Sequence, residues 1–269
     1  MAEEKKITET TKTEQEKPKT DVETKPKSDV AVFEALAEAK TTGFEGADFE
    51  SYATPFLRIL QQNSPQVLED TDQYIPDAKP GYFFNNVTNI LYGKTVTVIP
   101  VRYERMFLEW KPERGGFVAI HSVEEGMAIS VPGKSFGSRI HKENGNILQD
   151  THTFYLLVAG REEEGPLVLP LTSTGIRHSR KWLSMAKMLR LPNRAAAPLY
   201  SSTYKLSTIL NENDQGRWYQ IGDKAKTAIE RVDWINADQF YFVKGVVSMF
   251  DQIRKGMERS QNFEETAPF

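Results

Sequence analysis

The chain contains no cysteine in 269 residues. That excludes disulfides, a thiol nucleophile, an iron–sulfur cluster and any thiolate zinc site. No apolar run approaches the roughly 20 residues a membrane-spanning helix needs. The first residues are polar and charged (MAEEKK) and do not read as a signal peptide. The glycine patterns of phosphate-binding loops, dinucleotide folds and nucleophile elbows are all missing. The four histidines (His121, His141, His152 and His178) lack the spacing of a zinc site. These absences point to a cytoplasmic, non-catalytic protein with no metal and no cofactor.

Charge is present but unevenly placed. The formal net charge is −3. Residues 1–28 are balanced, residues 29–50 are strongly acidic, and residues 51–258 carry a small positive excess. A mildly basic body with acidic ends fits a polyanion partner for the body.

The composition shifts define four segments. Residues 1–28 are Lys-, Glu- and Thr-rich with two Lys-Pro-Lys triplets and few apolar side chains, so they are expected to be disordered. Residues 29–48 read as a short helix and linker, with Val30, Phe33, Leu36 and Ala37 at helical spacing. Residues 49–258 form the folded body, and 259–269 an acidic tail.

Within the body, strands are expected at 55–61, 82–88, 94–111, 117–121, 151–159, 166–172, 199–210 and 216–221. In the long run 94–111, the even positions Val96, Val98, Met106, Leu108 and Trp110 form one face, and Pro100 requires an edge or a bulge. Residues 122–150, rich in Gly and charge, read as an excursion. Helices are expected from Ser173 or Thr174 to Leu191 and over 235–258, the second with Phe240, Val243, Val247, Phe250 and Ile253 on one face. The fold class is α+β or mainly β, with an OB-like barrel core and inserted helices.

Three groups of residues could carry function. From Gly165 through Asn211 there is no acid, but there are seven bases: Arg177, Arg180, Lys181, Lys187, Arg190, Arg194 and Lys205. On a helix, Arg177, Arg180, Ser184 and Lys187 share one face and Trp182, Met185, Ala186 and Leu189 the other. Tyr204, Trp218 and Tyr219 follow closely. Cations for phosphates interleaved with aromatic rings for bases are the ingredients of single-strand binding. The strand face Tyr103, Arg105 and Phe107, with Arg102 beside it, offers a second such surface. The third group is nuclease-like: Pro76-Asp77 followed by Glu109-Trp110-Lys111 matches the short pattern of a metal-dependent nuclease superfamily, in which the acids hold Mg²⁺.

The final residues, Asn262-Phe-Glu-Glu-Thr-Ala-Pro-Phe269, resemble the C-terminal tip of bacterial and phage single-stranded DNA-binding proteins. The match falls on Glu264, Glu265, Pro268 and Phe269; Thr266-Ala267 departs from it by separating the acids from Pro268. The runs PFLRILQQNSPQV, IPDAKPGYFFN and VIPVRYERMFLEWKPERGGFVAIH, within 55–121, look like phage replication-module proteins. The resemblance implies a phage protein of the host cytoplasm with an OB-fold. Such a protein coats and protects single-stranded DNA in replication or recombination and recruits replication or recombination proteins through its tail. A Mg-dependent nuclease, and a protein-interaction module without nucleic-acid affinity, stand as alternatives.

Overall fold

The computed structural model describes residues 43, 45–46, 51–112, 115–214, 216–223 and 225–247. The chain divides into two compact units, Met1–Gly46 and Ala47–Phe269. In the first unit the backbone N–H of Gly43 donates to Glu45 Oε1 (3.2 Å). The expected disorder of 1–28 and the stripe on Val30, Phe33, Leu36 and Ala37 lie outside the described residues.

The second unit is organised by two long antiparallel strands. β4 (Thr95–Trp110) and β8 (Ile147–Val158) are paired from Val98↔Val158 to Trp110↔Ile147. Both are rich in β-branched and aromatic residues, which pack well on a pleated surface. Each outer edge of this ribbon takes two shorter strands end to end. β10 (Ser202–Ser207) and β5 (Phe117–His121) share the edge of β4. β9 (Leu167–Thr172) and β7 (Ser138–His141) share the edge of β8. β13 (Ile229–Trp234) and β6 (Ser130–Pro132) complete an eight-stranded sheet ordered β13-β10-β4-β8-β7-β6.

Separate from it are a three-stranded sheet of β1 (Leu57–Ile59), β2 (Phe83–Asn85) and β3 (Leu91–Gly93), and a hairpin of β11 (Ile209–Asn213) and β12 (Gly216–Gln220). Among the described residues the large sheet is open. Its outer strands β13 and β6 do not pair with each other, and the isolated bridge Phe56↔Val168 joins the residue before β1 to β9. The class is therefore mixed α/β with mostly strands, and no closed barrel forms among the described residues to match the expected OB-like core.

Pro100 sits at a bulge, where β4 holds one more residue than β8 between Pro100↔Leu156 and Arg102↔Tyr155. Proline has no N–H to give the ladder, and the extra residue inverts the alternation. The even positions of β4 consequently do not form one face. Val96 and Val98 join Phe154, Leu156 and Trp182 in one core cluster. Met106, Leu108 and Trp110 join Ile99, Val101 and Tyr155 in the other.

A helix packs on each face. α1 (Val123–Ile129) is a short helix beside β5, opened by a capping box in which Ser122 Oγ accepts from the Glu125 N–H and Glu125 Oε2 from the Ser122 N–H. α2 (Ile176–Met188) covers the first cluster. Its Trp182 is fully buried, stacked on Phe154 (centroids 4.3 Å apart, planes at 16°) and edge-on to Tyr204. α3 (237–247) covers the second cluster with Val243 and Val246. The expected 122–150 excursion thus holds α1, β6, β7 and the start of β8.

Candidate nucleic-acid interface

α2 has no acid in its thirteen residues, IRHSRKWLSMAKM. Its inner side buries Ile176, His178, Ser179, Trp182 and Ala186, while Arg180, Lys181, Ser184 and Lys187 are exposed. None of Arg180, Lys181 and Lys187 lies in an ion pair among the described residues. Among the described residues no carboxylate pairs with these charges, so the outer side of α2 is a positive ridge.

Hydrogen bonds fix this ridge to the sheet. Ser179 Oγ lies 2.7 Å and Tyr103 Oη 2.8 Å from the same nitrogen, Nδ1 of His152 on β8. Burial pushes the His152 pKa below its ordinary value, and the nearby Arg105 and Arg180 charges push it the same way, against the attraction of Asp150. The ring is thus held neutral. His152 Nε2 is buried without a hydrogen-bond partner, 3.8 Å from Asp150 Oδ1. Asp150 is taken instead by Arg105, whose Nε and Nη2 donate to its two oxygens at 2.8 Å each. Ser179, His152 and Asp150 are all buried, so their proximity builds a strut and offers no nucleophile to solvent.

A second strut joins α2 to the loop before β13. His178 is 1% exposed, its Nδ1 is 3.0 Å from Thr227 Oγ1, and Arg177 Nε donates to its Nε2 at 3.3 Å. Burial first, then the Arg177 charge, lowers its pKa to about 4. Beside it, Thr174 Oγ1 donates to Gln220 Oε1 at 2.7 Å, so the base of the β11–β12 hairpin abuts the start of α2.

The remaining sequence-chosen residues scatter. Trp218 and Tyr219 sit half-buried on β12. The Tyr219 ring covers Gly81, where a Cβ would come within 2.7 Å of it. Tyr103 is half-buried against His152 and Phe154. Phe107 is buried beneath Gly126 of α1 and presents no face to a base. Tyr204, expected to stack, has no exposure at all and belongs to the α2 core. The reason is register: Tyr204 shares a sheet face with Leu206 and Val98, under Trp182.

Arg102 and Lys205 belong to the other face of the sheet, where Arg102 pairs with Glu104 and Lys205 with Glu230 (3.2 Å). They are not part of the ridge. Arg190 Nη1 donates to the Lys187 and Leu189 carbonyls (2.9 Å each), satisfying groups at the C-terminus of α2. Arg194 is exposed on the following turn. Glu264, Glu265, Pro268 and Phe269 lie outside the described residues.

The nuclease pattern is not assembled as a metal centre. Glu109 is buried, and its oxygens are occupied by His121 Nε2 (2.6 Å), Asn146 Nδ2 (2.6 Å) and Asn144 Nδ2 (3.1 Å). Burial alone would raise its pKa, yet these hydrogen bonds win and hold it below the ordinary carboxylate value. Asp77 is exposed in a turn, and no cluster of three metal-ligating side chains occurs among the described residues.

Sequence reasoning missed an exposed aromatic surface: Trp234 at the end of β13, and Phe240, Tyr241 and Phe242 on α3. Of the expected apolar face of α3, Val243 is buried, together with Val246, while Phe240 and Val247 are about half exposed; Phe250 and Ile253 lie outside the described residues. Among the described residues, no helix is long and apolar enough to cross a membrane.

Fold and surface together define a mixed α/β protein whose open antiparallel sheet carries a basic helix on one face. The chain belongs to the family of Pam3 phage gp34-like proteins, whose family model matches residues 21–250. The family is a phage one. No curated protein matches the chain, and no solved structure does.

Proposed function

We propose that this protein binds single-stranded DNA without cleaving it, coating and protecting the strand during phage replication or recombination. The observation that carries the proposal is the outer side of α2, where Arg180, Lys181 and Lys187 stand exposed within an acid-free stretch and, among the described residues, outside any ion pair. Phosphate neutralisation by such cations releases counterions and supplies sequence-independent affinity. Trp218 and Tyr219, half-buried on the hairpin that abuts α2, supply rings that can stack on bases. The acidic tail Glu264–Phe269 recruits a replication or recombination partner in this reading.

The test is fluorescence anisotropy of a labelled oligo-dT, and of a duplex of equal length, with EDTA present at two salt concentrations. Binding to the single strand that weakens with salt supports the proposal. Affinity for neither substrate at low salt sinks it.

A further inference from the structure

α3 is apolar or aromatic on more sides than its packing uses. Val243 and Val246 are buried against the sheet, yet Phe240 is 50% and Tyr241 77% exposed. A helix with large apolar side chains on its outer face is ordinarily covered. Its first turn is well made: Asn236 Oδ1 accepts from the Gln239 N–H, and Gln239 Oε1 from the Asn236 N–H. Gln239 Nε2 also donates to Glu162 Oε1. The helix is therefore held in place with Tyr241 pointing away from the core.

The outward stripe is symmetric about Tyr241. At about 100° per residue, Ala237, Asp238, Lys244 and Gly245 flank Tyr241 on one side of α3, and all are exposed. Three positions before Tyr241 stands an acid, and three after it a base. Four before stands Ala237, and four after Gly245, where nothing lies within 4 Å of the position a Cβ would take. One before and one after stand Phe240 and Phe242.

We infer that α3 is the contact surface for a second copy of this chain, crossing the partner's α3 antiparallel about a two-fold axis at Tyr241. In an isologous pair, a residue n positions before the axis meets the residue n positions after it on the other copy. Asp238 of each copy then meets Lys244 of the other and Ala237 meets Gly245, while Phe240 and Phe242, about 100° to either side of Tyr241, edge the contact. The small residues let the helices approach closely, and the two ion pairs set the antiparallel direction. A head-to-head parallel pairing would oppose Asp238 to Asp238 and Lys244 to Lys244. A second copy answers each outward position with a residue of complementary charge or of small size.

The experiment is sedimentation equilibrium on the full chain, with circular dichroism to confirm folding. The wild type is expected to reach twice the chain mass of 30.6 kDa. Asp238→Lys and Lys244→Asp, each alone, place like charges across the axis twice and are expected to weaken the dimer roughly tenfold or more. The double swap D238K/K244D is expected to restore it, which loss of fold or of monomer packing cannot do. Because the chain has no cysteine, Tyr241→Cys gives a second readout: mild oxidation should yield a disulfide-linked dimer. A wild type that stays monomeric, or a dimer unmoved by the single swaps, overturns the inference.

Discussion

Ser179 Oγ and His152 Nδ1, 2.7 Å apart and both buried, fasten the basic helix to the central strand β8. The pair sets where the positive ridge stands. Replacing Ser179 by Ala removes one partner of a buried nitrogen. It is expected to cost about 1–2 kcal/mol, read as a fall in urea midpoint with unchanged m-value.

Acid should weaken the same face. The unfolded histidine titrates near 6.5, while folded His178 does so at about 4. The folded state therefore binds fewer protons between those values. The stability held by neutral His178 is complete above pH 6.5 and declines as pH falls toward 4, by at most about 1.4 kcal/mol per unit. His152, shifted in the same direction, adds to the slope. Urea unfolding at pH 7.5 and 5.5 should show the loss, and His178→Gln should flatten it. Equal slopes in the two proteins would contradict the assignment.

Gly126 lies directly on the Phe107 ring, where a Cβ would come within 2.4 Å of Cδ2. Gly126→Ala should overpack the site by about 1–3 kcal/mol, although alanine favours helices. A stability gain would mean that α1 does not seat on Phe107 as described.

Glu109 separates structure from chemistry. Glu109→Ala strips His121, Asn144 and Asn146 of their shared acceptor and should destabilise the fold by about 1–3 kcal/mol. A metal ligand would behave differently: its loss would abolish cleavage while leaving thermal stability nearly unchanged.

Much of the architecture was legible from period and composition. The strands in 94–111 and 166–172, the basic helix and the β11–β12 hairpin follow from alternation, acid-free amphipathicity and a turn-rich linker. The bulge at Pro100 was legible as a need, but its consequence was not, because one extra residue swaps the sheet faces for everything after it. α1 was missed although Ser122-Val-Glu-Glu125 spells a capping box. Seven residues are too few for a periodic signal to rise above their charge. β13 was missed because only Ile229 of its side chains is buried. For the site, sequence marked the basic ridge but could not tell Tyr204 in the core from Trp218 on the hairpin. Burial of an aromatic ring depends on which helix crosses its strand, and that is a long-range fact.

The most direct measurement is the salt dependence of oligo-dT binding for Arg180→Ala/Lys181→Ala/Lys187→Ala beside a control, Arg102→Ala/Lys205→Ala, on the other sheet face. If α2 tracks the phosphates, the triple variant binds weakly and its log–log salt slope shrinks by up to about two, at roughly 0.7 for each phosphate left without its cation. The control should keep both affinity and slope. An unchanged triple variant, or a control that weakens as much, would contradict the assignment of the binding surface to α2.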